Sequence, residues 1–209
     1  MPMSNRNERD IVMKRTQFVR NLLGFSILPF WGCHWQDKKE KASLANAVVS
    51  SDKEEKIPAK LKEELIAAWV RSEEMTLTNV EQMPPELFTF KYTPEAMSFS
   101  EQWRHCVIYT CGQLADRAGI ENPYENVKLP VQMPKEDVIK ELKNMYAHVR
   151  KSISELSNEK LLSDCEFAGE TIPIWRLFYA MENHIIHHRG QCVVYLRLKG
   201  VVPKGYYGW

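Results

Sequence analysis

The chain has no CxxC pair, no run of about 18 apolar residues that could span a bilayer, and no block of basic residues. It also lacks GxGxxG, GxxxxGK and GxSxG motifs. Each absence removes a class. Without the long apolar run there is no conventional membrane helix. Without the basic block, and with 28 Lys plus Arg against 27 Asp plus Glu, no cationic face is offered, so nucleic acid is not expected as a partner. The five cysteines, Cys33, Cys106, Cys111, Cys165 and Cys192, are odd in number and irregularly spaced, which argues against a disulfide framework. Cys106, Cys111 and Cys192 fall inside helical patterns and read as buried thiols. What remains is 209 residues with 44% hydrophobic content, suited to one main domain plus an extension.

The stretch Met181 to Gln191, MENHIIHHRGQ, organises the rest. His184 and His188 are four residues apart, which on a helix places both rings on one face, one turn apart. The line Leu177, Met181, His184, His188, Gln191, Tyr195 runs along that face in steps of three and four, so the two rings stand where neighbouring turns put apolar side chains. A polar ring facing a core is costly unless it is bonded. Two neutral imidazoles at this spacing can ligate one metal ion, and two hydrogen-bonded core histidines fit the pattern as well. His187 is off the stripe and is not taken as a ligand. Position 185 is Ile, so this is not HExxH and the glutamate of that motif is missing. Cys192 could complete a site on the same face, and a packed thiol fits it better.

Residues 1–57 read as an extension. From Met13, the basic residues Lys14, Arg15 and Arg20 precede an uncharged stretch, the layout of a secretory signal. Arg15 to Arg20 resembles a twin-arginine signal with its second arginine lost, and Cys33 after Gly32 is a candidate lipid-attachment residue, although Phe30 and Trp31 fit that consensus poorly. Export to the cell envelope with membrane attachment through the N-terminus, and a cytoplasmic protein with a polar extension, both stay open. Residues 34–57 are rich in Lys, Glu, Asp, Ser and Ala and read as a solvated tether.

The compact domain is expected over 58–209. The periodicity predicts helices over 58–82, 98–118, 134–156 and 173–199. Leu61, Leu65, Trp69, Thr76 and Val80 mark the inner face of the first. Ser98 and Glu101 form a capping box for the second, with Phe99, Trp103, Val107, Thr110 and Leu114 as its stripe and Gly119 at its C′ position. His105 lies nearly opposite that stripe: it is either exposed or on a second buried face that leads to a cavity. Val138, Leu142, Met145, Val149 and Ile153 line the third helix, with His148 beside them as a boundary residue. Phe88, Phe90 and Tyr92 in the first connection read as a cover over one end of the core, and 157–172 as a longer loop. With no persuasive strands, the fold class is all-α, a four-helix bundle whose long connections point away from a simple up-down path.

HxxxHRGQ on the last helix, followed by Tyr195-Leu196-Arg197 and Gly200, resembles the DinB superfamily, which includes the YfiT-like metal hydrolases and thiol transferases. The resemblance extends to Met83-Pro84 and to FKYTPEAMSFSEQWRHC, and covers about 60–209. It implies a four-helix bundle holding one divalent metal through three histidines, His105, His184 and His188, with zinc or nickel foremost and iron or manganese as alternatives. Arg189 would then be a structural ion-pair or hydrogen-bonding residue, Gln191 a hydrogen bonder behind the ligands, and Gly112 a point of close helix approach. The implied activity is that of a metal-dependent hydrolase on a small-molecule substrate. The alternatives are metal-dependent thiol transfer, or a non-catalytic metal-stabilised binding or stress module. Trp175, Phe178 and Ile186 lie away from the histidine stripe, where they could form a homodimer surface or pack against the other helices.

Overall fold

The computed structural model describes residues 56–205. The candidate export segment with Cys33, the expected tether up to residue 55, and Tyr206 to Trp209 lie outside the described residues. The elements are α1 (Lys56–Gln82), a 3-10 turn (Pro85–Leu87), α2 (Phe99–Ala118), α3 (Lys135–Glu155), a short α4 (Asn158–Leu162), β1 (Asp164–Phe167), β2 (Glu170–Pro173) and α5 (Ile174–Leu198). Among the described residues, no helix is long and apolar enough to cross a membrane.

The helix ends follow local chemistry. The Ser98 side chain accepts from the Glu101 backbone while Glu101 accepts from the Ser98 N–H, so the expected capping box is formed. Gly119 ends α2 in the left-handed conformation at φ 68°, and Gly200 follows α5 at φ 75°, where a side chain would be strained.

The apolar stripes meet in one core. Trp69 of α1, Trp103 of α2, Val138 to Ile153 on the α3 stripe and Leu177, Met181 and Tyr195 of α5 are all fully buried. Each large apolar side chain removed from water contributes about 1.5–3 kcal/mol, and this sets the bundle's helix faces. The helix α1 packs on α3 and α5, and α2 also packs on α3 and α5, so the consecutive helices α1 and α2 are diagonal. The path is therefore not up-down, as the long connections suggested. The first connection lies over the core: Phe88 is buried against Phe99, and Phe90 and Tyr92 stand edge-on to Tyr195.

Two expectations need correction. The stretch 157–172 is not plain loop. Ser157 caps α4, and β1 and β2 form an antiparallel hairpin with Phe167 opposite Glu170. Ala168 and Gly169 turn it at φ 54° and 82°, the positive values that a two-residue hairpin loop requires. Each strand is four residues long and Ile172 is the one fully buried position, so the period-2 signal is nearly absent. Gly112 is not a point of close approach either, because a Cβ there would meet nothing within 4 Å. Of the residues left open between a homodimer surface and internal packing, Phe178 is buried in the chain's own core, while Ile186 is 42% exposed.

A buried polar seam joins α1, α3 and α5. The Tyr146 hydroxyl lies 2.8 Å from Thr76 Oγ1 and 3.2 Å from Ser72 Oγ. Arg189 donates to the Ser72 carbonyl and to Thr76 Oγ1, both at 3.3 Å. The structural hydrogen-bonding role expected of Arg189 is thus visible. Removing the shared hydroxyl in Tyr146→Phe should lower stability by about 1–3 kcal/mol, read from the midpoint of urea denaturation, because buried partners are left unsatisfied. In the same assay Gly112→Ala should raise stability by about 0.5–1 kcal/mol, since the helix gains a better former at no steric cost.

Candidate metal centre

His184 and His188 come from the middle of α5, and α2 brings His105 across the seam between the two helices. The Nε2 atoms of His105 and His184 are 3.1 Å apart, as are those of His188 and His184. Ring centroids are separated by 5.0, 4.9 and 4.5 Å for the three pairs. One ring nitrogen from each lies within 4.8 Å of the others, and this group could hold a metal ion. The second face of α2, left open by periodicity, is the face that carries His105. Tyr109, one turn on, has its ring centroid 4.4 Å from that of His184.

The electrostatics favour bare nitrogens. His188 is 7% exposed, and burial, with the neighbouring rings of His184, His105 and His187, pushes its pKa down to about 3. Burial and the rings of His105 and His187 bring His184 down to about 4. Burial and the charge of Arg104 lower that of His105 as well. All three rings are neutral at pH 7, the form that ligates a cation.

The hydrogen-bond pattern shows why an ion fits. Nδ1 of His188 bonds to Gln102 Oε1, a carbonyl oxygen that can only accept. His188 therefore carries its proton on Nδ1, and its Nε2 faces His184 as a lone pair. His184 Nε2 in turn faces both of the other rings. If His184 is protonated on Nε2, one proton serves two neighbours. If it is protonated on Nδ1, lone pairs oppose each other at 3.1 Å. A single cation among the three nitrogens would accept all three lone pairs at once.

The other candidates fall outside. His187 is exposed and its Nε2 accepts from Gln191 at 2.7 Å. His148 is half-buried on α3 and lines a separate cavity of about 210 Å³ with Gly119, Lys151 and Glu155. Cys192 is fully buried and not part of the trio, and burial pushes its thiol well above the ordinary value, so it is a packed thiol. Cys106 and Cys111 are likewise free and buried. No carboxylate belongs to the trio. The residue that the sequence reading passed over is Gln102, 3% exposed and bonded to both His188 and Gln191. Its signal was weak: it lies one turn before His105, and a buried glutamine inside a helical stripe looks like an error in an amphipathic pattern.

Fold and site together define a helical bundle with a three-histidine cluster between two helices. The DinB family model matches residues 53–209, and the chain belongs to the DinB family. In fold it is similar to a DinB-like protein from Bacillus cereus, with 20% identity and a TM-score of 0.59 over 69% of this chain and 97% of that one. It is also similar to the DinB-like protein YjoA from Bacillus subtilis, with 19% identity and a TM-score of 0.55 over 69% and 96%. Among curated proteins, no relative matches the chain.

The depressed histidines carry a pH signature. The unfolded rings take up protons near the ordinary value of 6.5, whereas the folded rings of His184 and His188 wait until about 4 and 3. Between these limits the unfolded state binds more protons, so stability rises with pH. The contribution is complete above 6.5 and is lost as the pH falls toward 3. Thermal melts of chelator-treated protein should show the midpoint falling from pH 6.5 to 4, with a shallower slope in the double variant His184→Leu/His188→Leu. An equal slope in the two proteins would assign the effect to groups other than these two rings.

Proposed function

We propose that the chain binds one divalent metal ion through His105, His184 and His188 and acts as a metal-dependent hydrolase on a small-molecule substrate. The observation that carries the proposal is the convergence of three imidazole nitrogens, two of them at 3.1 Å from the third, with no fourth ligand in the group among the described residues. A trio of protein donors leaves a coordination position for water or substrate, the mark of a catalytic rather than a structural site. An imidazole-only donor set suits zinc, nickel or iron, with zinc and nickel the first expectation and manganese the weakest. A bound metal of this kind supplies a water with a lowered pKa, near 7 for zinc, or polarises a carbonyl.

The chain's own residues do the rest. Gln102 Oε1 is bonded to Nδ1 of His188 and steadies that ring. Tyr109 lies against both His184 and His105, with ring centroids 4.4 and 5.4 Å away. The trio consists of imidazoles alone, and no side chain is assigned as a general base. Thiol transfer uses the same open position. A closed, structural site would need a fourth ligand, and the packing of Cys192 outside the trio speaks against one.

Protein produced without a polyhistidine tag should carry near-stoichiometric transition metal by elemental analysis. His188→Ala and His105→Ala should each lose it. Wild-type protein that stays metal-free after incubation with zinc, nickel and manganese would overturn the proposal. With metal established, a screen of ester, amide and lactam substrates should show turnover that a chelator abolishes and added metal restores.

A further inference from the structure

The side chain of Gln102 is held at both ends. Its Nε2 lies 3.0 Å from Gln191 Oε1 and 3.4 Å from the Tyr195 hydroxyl. The Tyr195 hydroxyl donates its own proton to the Met97 carbonyl, so toward Gln102 it is an acceptor. Gln191 turns its own Nε2 outward to His187, which leaves its Oε1 for Gln102. The NH₂ of Gln102 thus sits between two acceptors, and a flip of the amide would place its carbonyl oxygen against two other oxygens. Its Oε1 is thereby fixed on His188 Nδ1. An amide held this way dictates the tautomer of the ring it touches.

We infer that Gln102 is a positioning residue that sets the His188 tautomer, locked in turn by Gln191 and by the Tyr195–Met97 contact, and so keeps the His188 Nε2 lone pair free for a cation. The inference rests on the metal-binding reading above and adds to it the device that prepares one of its three nitrogens. The chain of contacts runs from the backbone of the first connection, through the buried end of α5, to the cluster. That chain gives the first connection an influence on the site although none of its residues belongs to the trio. It also accounts for Gln102 being buried: an apolar residue there would leave Nδ1 of His188 without an acceptor, and the ring would be free to put its proton on Nε2.

The test uses the full chain, labelled with ¹⁵N and treated with a chelator, and then zinc alone. Long-range ¹H–¹⁵N spectra of the imidazoles should show His188 as the Nδ1–H tautomer in wild type and as Nε2–H, or a mixture, in Gln102→Met. Zinc affinity measured by competition with a chromophoric chelator should fall about 10- to 100-fold in Gln102→Met, the range found when partners behind metal ligands are removed. Gln102→Glu keeps an acceptor for Nδ1 and should recover much of the loss. Gln191→Met leaves the acceptor in place but loosens the amide. It should give a smaller loss, and it serves as the second variant if Gln102→Met does not fold. A wild-type His188 found as Nε2–H, or a folded Gln102→Met that binds zinc as tightly as wild type, would overturn the inference. A wild type with the Nδ1–H tautomer that binds no zinc would instead defeat the metal reading, and with it the role assigned to Gln102, while leaving the tautomer assignment standing.

Discussion

A buried imidazole has two nitrogens of opposite character, and both must be answered. That constraint governs the seam between α2 and α5. His188 stands on the inner stripe of α5 among Met181, Ile185, Cys192 and Tyr195, all fully buried. One of its nitrogens is answered by Gln102 and the other faces His184, whose Nε2 also faces His105. The neutral state of those rings follows from the same burial that makes them expensive. A bundle that needed only stability would place leucine at 184 and 188. Keeping three polar rings on one seam is the kind of local conflict that marks a functional site.

The scaffold holds that seam by two separate means. Apolar stripes fix which faces of α1, α2, α3 and α5 turn inward. Polar contacts then fix how the helices register. The Tyr146, Thr76, Ser72 and Arg189 seam ties α5 to α1 and α3, while Gln102, Gln191 and Tyr195 tie α5 to α2. Hydrogen bonds are directional where apolar packing is not, so these contacts place the histidine-bearing turn of α5 relative to His105. Loop segments add to the effect: Ser100 exchanges hydrogen bonds with the Met133 backbone, and Arg104 donates to the Leu129 carbonyl, clamping the connection after α2 onto the helix that carries His105.

Much of this was legible in the sequence, for physical reasons. Long stripes such as Val138 to Ile153 repeat over several turns, and helix ends carry chemistry of their own, so α3 and the Ser98 and Gly119 caps could be read directly. His184 and His188 were legible because both lie on one helix at a spacing that fixes their relation. His105 was not, because its partners are distant in the chain and its place off the main stripe fits an exposed residue equally well. Only the family resemblance joined it to the other two. The hairpin Asp164–Pro173 was missed because its strands are short and mostly exposed, and its Ala168-Gly169 turn lacks the usual asparagine signal. Gly112 misled because glycine suggests close packing, whereas here it faces open space. Gln102 went unnoticed because a residue whose task is to hold another residue has no spacing rule of its own.

The proposed cation site joins three imidazole nitrogens and leaves one side open. Diffraction from crystals grown with zinc, collected on either side of the zinc absorption edge, tests it most directly. The account predicts an anomalous peak bonded to Nε2 of His105, His184 and His188, completed by solvent. A trio with no peak, or a metal closed off by a fourth protein ligand such as Cys192, would contradict it.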